Sequence, residues 1–487
     1  MKKIVPSKPI LPNTIFLNLL VTLVFLMPEV LAAQGVKQEV INKLNSKHDY
    51  YAAIAQKIWE NPELGYLEEN SASLLQDELR KNGFKIEKGL ADIPTAFTAT
   101  YGSGKPVIGI LGEFDALPGM SQVAEPVIKA RIEGEPGHAC GHHLFGTGSM
   151  AAAIAVKDWL KSSGKKGTIR FYGTPAEEGG SGKVYMVRAG LFDDVDAIVS
   201  WHPLDANTSN PSTNLATISG KFRFKGYSSH AAAAPERGRS ALDGVEAMNV
   251  MVNMLREHTT ESTRIHYAIT KGGDAPNIVP AEAEVYYVVR HSNRDEVKAV
   301  WNRVLKAANG AAEGTETTVE VEIIGGTYDR LPNESLAAIM HRNLKLVGGV
   351  NYTAKELEFA QEIKKSLGSS KLLESAGEVQ SMVFTYGKAS ADTGDVSWAV
   401  PLAAITTATW VPGTPPHSWQ AVAAGGTSIG HKGMMVSAKT LALSAIDIIN
   451  NPSILSSIKA EFEERRGPDF VYESLLGDRS PALDYRK

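Results

Sequence analysis

The chain has 487 residues, a single cysteine, 50 basic against 54 acidic side chains and a formal charge of −4. Removing residues 1–32, which carry Lys2, Lys3, Lys8 and Glu29, takes the charge to −6. A lone thiol excludes an intramolecular disulfide scaffold, and the lack of any basic patch or basic-aromatic stripe argues against nucleic acid as a partner.

Lys2, Lys3 and Lys8 precede the apolar run Ile15 to Met27 and the small-residue stretch Val30-Leu31-Ala32-Ala33, the order of a secretory signal peptide. The run is short for a bilayer span, so residues 1–33 are expected to be removed, leaving a periplasmic or secreted protein with no stable membrane span. A hydrophobic content of 43% over the whole chain is enough for two globular domains or more.

Helical patterns at Asn42 to Trp59 and Asn70 to Asn82 lead into Val107 to Leu111, an apolar run of buried-strand type. Ser149 to Leu160 is Ala-rich and helical, which places Cys140 and His142 in a loop feeding its N-terminus. Thr168 to Tyr172, Ala197 to Trp201 and Ala403 to Thr409 are further β-rich segments. Alternation with helices predicts an α/β sheet with at least partly parallel strands. Between residues 215 and 331 the order becomes β-α-β-β-α-β, with strands at Ala216 to Phe224, Arg264 to Thr270, Ala283 to Arg290 and Thr317 to Ile323. This is the ferredoxin-like pattern. The expected organisation is a sheet domain (34–214 and 332–452) interrupted by an inserted α+β domain (215–331). Lys365 to Val379 reads as a surface loop, and residues 453–487 read as a largely polar tail.

Residues able to do chemistry follow the strands of the first domain. Gly137-His138-Ala139-Cys140-Gly141-His142-His143 sets the only thiol among imidazoles, a ligand set for a borderline-soft divalent ion. Asp115 follows Val107 to Leu111, His202 follows Ala197 to Trp201, and His417 follows Ala403 to Thr409. Pro175-Ala176-Glu177-Glu178-Gly179-Gly180 sets two carboxylates in a turn, where one can bind metal while its neighbour acts as general base. In open α/β sheets ligands gather outside the carboxyl ends of the strands. The candidate ligands Cys140, His142, Glu178, His202 and His417 are too many for one tetrahedral zinc with an open position, and fit two ions sharing Cys140 better.

Gly112-Glu113-Phe114-Asp115-Ala116-Leu117-Pro118-Gly119, the Cys140 segment, Pro-Ala-Glu-Glu-Gly-Gly, Trp201-His202-Pro203 and Pro416-His417-Ser418-Trp419-Gln420 together resemble the dinuclear metal-dependent amidohydrolases and carboxypeptidases. That family includes carboxypeptidase G, aminoacylases and auxin-conjugate hydrolases, and the resemblance is strongest to its aminobenzoyl-glutamate-cleaving branch. It implies a metal-peptidase fold with an inserted lid. It also implies hydrolysis of an amide in an N-acyl amino acid or aminobenzoyl-glutamate-like substrate carrying a free carboxylate. Glu177 is then the general base and Asp115 an orienting residue. Glu178, His142, His202 and His417 ligate two divalent ions, Zn or Mn, with Cys140 as bridge. His230, Asn277 and Arg290 match substrate-binding positions, the first often across a dimer interface, and homodimer and heterodimer are both open. His143 stands where relatives of the auxin-conjugate branch have aspartate, which leaves open which imidazole binds.

Two other readings carry less weight. Gly426-Thr427-Ser428-Ile429-Gly430 fits a nucleophile elbow, but no strand is expected before it. A metal-binding partner that scaffolds a second chain is the non-catalytic alternative, although such a chain would not need Glu177.

Overall fold

The computed structural model describes residues 34–486. The expected signal segment lies outside them.

Strands β1 (Lys85–Lys88), β2 (Phe97–Ser103), β3 (Val107–Gly112), β4 (Gly167–Gly173) and β5 (Ala197–Leu204) build most of the main sheet. A second sheet takes β6 (Ala216–Lys225), β7 (Arg264–Lys271), β8 (Glu282–His291) and β9 (Thr318–Thr327), after which β10 (Leu402–Ala408) returns to the first. The main sheet runs β1-β2-β4-β3-β5-β10, and the second runs β9-β6-β8-β7. In the main sheet β4, β3, β5 and β10 are parallel, while β2 and β1 close one edge antiparallel.

The central position of β3 follows from its sequence. Val-Ile-Gly-Ile-Leu-Gly has no polar side chain, and all six residues are buried, as a strand covered by helices on both faces requires. Gly109 and Gly112 admit their neighbours closely: a Cβ at Gly112 would stand 2.5 Å from the Phe171 ring on β4. On one face lies the helix His142–Ser163, which is buried along most of its length and stops at Gly164 with φ +66°. The helix Ser428–Asn450 packs beside it. Both are rich in Ala and Ser, so their backbones approach the sheet and each other closely.

The second sheet is wholly antiparallel. One face carries the helices Ala241–Leu255 and Arg294–Gly314, and Val245, Met248, Val285, Val289, Val300 and Trp301 form a core of its own. The helix caps are legible in sequence: Ser240 and Asn293 accept N-terminal N–H bonds at these two helices.

The structure differs from the sequence reading in four places. The helix expected from Ser149 begins at His142, so this imidazole rides on a first turn rather than in a loop. Strand β5 runs on to Leu204, so His202 sits within it. In the expected loop Lys365 to Val379, a short helical turn, Leu373–Gly377, buries Leu373 and Ala376. Residues 453–487 were expected as a polar tail, yet Pro452–Arg466 is a helix and the following segment lies folded against both cores. Its apolar side chains are sparse but well placed: Ile458 and Leu476 join the main core, while Phe462 and Leu475 join the second. Ser428 opens a helix that follows another helix, Trp419–Gly425, so no elbow forms. Among the described residues no single helix is long and apolar enough to cross a membrane.

Phe171 is fully buried and packs 5.6 Å from the Phe97 ring. Phe171→Ala is expected to cost about 3–5 kcal/mol of stability, read as a lower urea midpoint with an unchanged slope.

Candidate metal centre and substrate cleft

The carboxyl ends of β3, β4, β5 and β10 bring together residues spread over some three hundred positions, from Glu113 to His417. Donor atoms fall into three groups, each with all members within 4.8 Å of one another: Cys140, His142 and His202; Cys140, Glu178 and His417; Glu113, His142 and Glu177. Cys140 and His142 each belong to two of these groups, so the three groups adjoin. All five candidate ligands are therefore brought together, with Glu177 beside them.

The imidazoles of His142 and His202 are each held by Nδ1 and leave Nε2 for a ligand, the arrangement seen around metal-bound histidine. His142 donates from Nδ1 to Asp115 Oδ1 at 2.9 Å, and His202 donates from Nδ1 to the Pro203 carbonyl at 2.8 Å. Cys140 Sγ lies 3.5 Å from His202 Nε2. His417 Nε2 stands 3.3 Å from Glu178 Oε1, on a backbone at φ +57° that its N–H bond to the Ala139 carbonyl helps to hold. Asp115 uses both oxygens, since Oδ2 accepts the Glu178 N–H at 2.8 Å. It thereby ties a histidine on one helix to the carboxylate turn after β4.

The buried atoms that lack partners in the chain fit a cation. His142 Nε2, Glu113 Oε2 and Glu178 Oε1 are buried without a hydrogen bond. His142 Nε2 and Glu113 Oε2 are 3.0 Å apart yet not in hydrogen-bond geometry, as expected of two donors aimed at a common ion. Burial pushes the Cys140 thiol up, and burial together with Glu113 and Glu178 pushes Glu177 well above the ordinary carboxylate range. Burial alone would depress His142, but Cys140, Glu113 and Asp115 hold it well above its usual value. Burial holds His202 down to about 4. The cluster therefore calls for positive charge, which soft and hard donors of this mixture suit in a divalent ion.

Three participants were not singled out from the sequence. Lys183 is fully buried, and its ammonium lies 2.7 Å from both Glu113 Oε1 and Asp392 Oδ1. Glu113 stood in a quoted motif but had no assigned role. Lys183 stood in a glycine-rich segment that resembles a phosphate loop but lacks its Ser or Thr, and neither it nor an aspartate 209 positions away signalled a place in this cluster. His143 is not part of the cluster: its Nε2 donates to the Gly425 carbonyl at 3.0 Å and its ring lies 5.0 Å from His138.

Next to the cluster is a cleft of about 210 Å³, walled by Glu177 and Ser181 on one side and by Tyr286, Arg290, Thr327 and Ser390 elsewhere. Arg290 Nε, Thr327 Oγ1 and Ser390 Oγ are buried there without partners in the chain. A larger groove of about 470 Å³, between Val36, Val40, Tyr51 and Trp159, contains none of these residues. His230 and Asn277 are not brought to the cleft. They are exposed on paired loops of the second sheet, where His230 Nδ1 accepts the N–H groups of Ala232 and Ala233 and the Asn277 carbonyl accepts that of Ala231. Strands β6 and β8 present Thr217, Ser219 and Arg290 to the cleft, and the loops holding His230 and Asn277 do not line it.

Residues 109–391 match the model of Peptidase family M20/M25/M40, and the chain belongs to this family. It is a metal-using hydrolase of amide bonds. The sequence is 40% identical to one of the subunits of p-aminobenzoyl-glutamate hydrolase from Escherichia coli (strain K12), over 88% of this chain and 95% of that protein. It is 28% identical to Xaa-Arg dipeptidase of Mus musculus, over 88% of this chain and 92% of that protein. The fold is that of an aminobenzoyl-glutamate utilization protein from Klebsiella pneumoniae, with a TM-score of 0.60 and 19% identity over 84% of this chain and 98% of that one. It is also that of a dinuclear metal binding peptidase from Bacillus subtilis, with a TM-score of 0.57 and 17% identity over 83% of this chain and 99% of that one.

Asp115→Asn sets an amide N–H₂ against either the His142 or the Glu178 N–H, and a loss of metal affinity of about 10- to 100-fold is expected by calorimetric titration. Metal uptake is expected to weaken as pH falls, because Cys140 and His142 must shed protons held by the apoprotein. Titration in two buffers of different ionisation enthalpy reads this as proton release, and an affinity independent of pH would contradict it.

Proposed function

We propose that this protein hydrolyses the amide bond of a small N-acyl amino acid with a free carboxylate, with p-aminobenzoyl-glutamate as the first substrate to test. The observation that carries this reading is the cleft, in which a half-buried base, Glu177, and the unpartnered guanidinium nitrogen of Arg290 share one small space. The first of the relatives above is named for aminobenzoyl-glutamate, and this supports the choice of substrate.

Cys140, His142, Glu178, His202 and His417 would hold two divalent ions, Zn or Mn. Ions bound there would polarise the amide carbonyl and make water more acidic. Glu177, whose carboxyl is pushed up by burial and by the charges of Glu113 and Glu178, takes a proton from the attacking water. Its raised pKa lets it keep that proton and pass it to the departing amine nitrogen. Asp115 keeps His142 in the tautomer that offers Nε2. Arg290 receives the substrate carboxylate through charge-assisted hydrogen bonds, with Thr327 and Ser390 as neutral donors beside it.

We further propose that the mature protein is periplasmic or secreted and dimeric. Strand β7 is an exposed edge with Tyr267 and Ile269 outward, and Val250, Met251 and Met254 are exposed on the neighbouring helix, which supports pairing through this sheet. Such pairing is the route by which His230 and Asn277 would reach a partner's cleft. The other kind of subunit of the Escherichia coli p-aminobenzoyl-glutamate hydrolase is 29% identical over 45% of this chain and 51% of that protein, which keeps a heterodimer in view.

The test is cleavage of p-aminobenzoyl-glutamate beside a panel of N-acyl amino acids and dipeptides, with bound metal quantified. Glu177→Ala should keep metal and lose about 10²- to 10⁴-fold in kcat. Arg290→Ala should lower kcat/KM about 10- to 100-fold for carboxylate substrates alone, the worth of a hydrogen bond to a charged group. Metal without turnover on any amide would favour the scaffold reading.

A further inference from the structure

Glu178 supplies a ligand atom from a turn rich in glycine, and glycine leaves a backbone soft. Gly179 sits at φ +97° and Ala176 at φ +55°, so the turn is not one the chain holds by local preference. Contacts from outside must fix it. Tyr66 Oη donates to the Gly180 carbonyl at 2.6 Å, and Glu68 Oε1 accepts the Ala176 N–H at 2.8 Å.

The remaining contacts come from the segment expected to be a tail. Tyr485 Oη donates to the Glu178 carbonyl at 3.1 Å, and Arg486 Nη2 donates to the same oxygen at 2.8 Å. The Tyr485 ring stands edge-on to Tyr66 at 5.5 Å, and Gly65 leaves room for its hydroxyl, which a Cβ would strike. The two peptide planes flanking Glu178 are thus held from opposite sides, the N–H by Asp115 inside and the C=O by Tyr485 and Arg486 outside. Rotation of either plane would swing the Glu178 carboxylate, and with it the adjacent Glu177.

The segment is itself anchored along its length. Leu476 is buried in the main core and Leu475 in the second. Arg188, on the helix Gly182–Arg188 just after the turn, donates to the Gly477 and Arg479 carbonyls at 2.7 and 2.8 Å, and Arg479 donates to the Ile324 carbonyl of β9 at 2.5 Å. Residues 467–486 therefore form a strap that runs from the second sheet to the carboxylate turn.

We infer that Tyr485 and Arg486 are positioning residues for the amide hydrolysis, and that the strap they end sets both metal affinity and turnover through the Glu178 peptide. This rests on the reading of Glu178 as a metal ligand and Glu177 as base.

The decisive variant is the double substitution Tyr485→Phe with Arg486→Ala, which keeps the ring and the chain length and removes both donors. A chain ending at Asp484 is its companion. Zn²⁺ affinity of the apoprotein should fall about 10-fold or more, the usual cost of losing an outer partner of a metal ligand. At saturating Zn²⁺, kcat for p-aminobenzoyl-glutamate should fall while KM stays within about twofold, since the strap does not line the cleft. Arg486→Lys, which keeps a cationic donor beside Tyr485, should restore both. Wild-type Zn²⁺ affinity and kcat in a folded double variant would overturn the inference. A wild-type chain that takes up no Zn²⁺ would overturn the metal-site reading beneath it as well.

Discussion

Glu113, Asp115 and Asp392 are almost inaccessible to water, and Glu177 shares their surroundings at the rim of the main sheet. Removing that many carboxyl groups from water is unfavourable unless each is matched by a charge or a donor. Lys183 matches Glu113 and Asp392, and His142 and a backbone N–H match Asp115. What is left unmatched, Glu113 Oε2, His142 Nε2 and Glu178 Oε1, converges where the ligand groups converge. The deficit of positive charge is the physical statement of the metal site, and the fold around it can be understood as the means of holding that deficit in place.

Two features do the holding. Parallel strands with glycines at the carboxyl ends of β3 and β4 bring backbone segments close enough for donors from Cys140 to His417 to meet, and the helix His142–Ser163 orients its first residue toward them. The carboxylate turn is the weaker part of the rim because its conformation is unfavourable for Ala176 and loose at its glycines. It is supported from outside by Tyr66, Glu68 and the strap. The second sheet contributes Arg290 and the outer wall of the cleft, so the cleft is shared between the two sheets.

Much of this was legible in the sequence. The apolar run of β3, the β-α-β-β-α-β order of residues 216–327 and the donors Cys140, His142, Glu178, His202 and His417 that cluster in the fold could be read because strand periodicity and donor chemistry are local properties. Arg290 was found through resemblance, and the cleft agrees with it. The misses share a cause. Lys183 and Asp392 are meaningful only as a pair across 209 positions, and residues 467–486 have few apolar side chains because they are held largely by hydrogen bonds to backbone carbonyls. His230 and Asn277 matched substrate-binding positions in sequence but stand on exposed loops away from this chain's cleft.

Sequence alone determined the donors available for a divalent ion, since a thiol among imidazoles and a paired carboxylate turn are chemistry written in residue type and spacing, and the resemblance of its motifs to a known family supplied the reaction class. Tertiary structure decided which nitrogen of each histidine is free, which carboxylates are compensated, and that the polar closing segment returns to grip Glu178. Those outcomes depend on desolvation and on directional hydrogen bonds between residues far apart in the chain, and neither exists until the chain has folded.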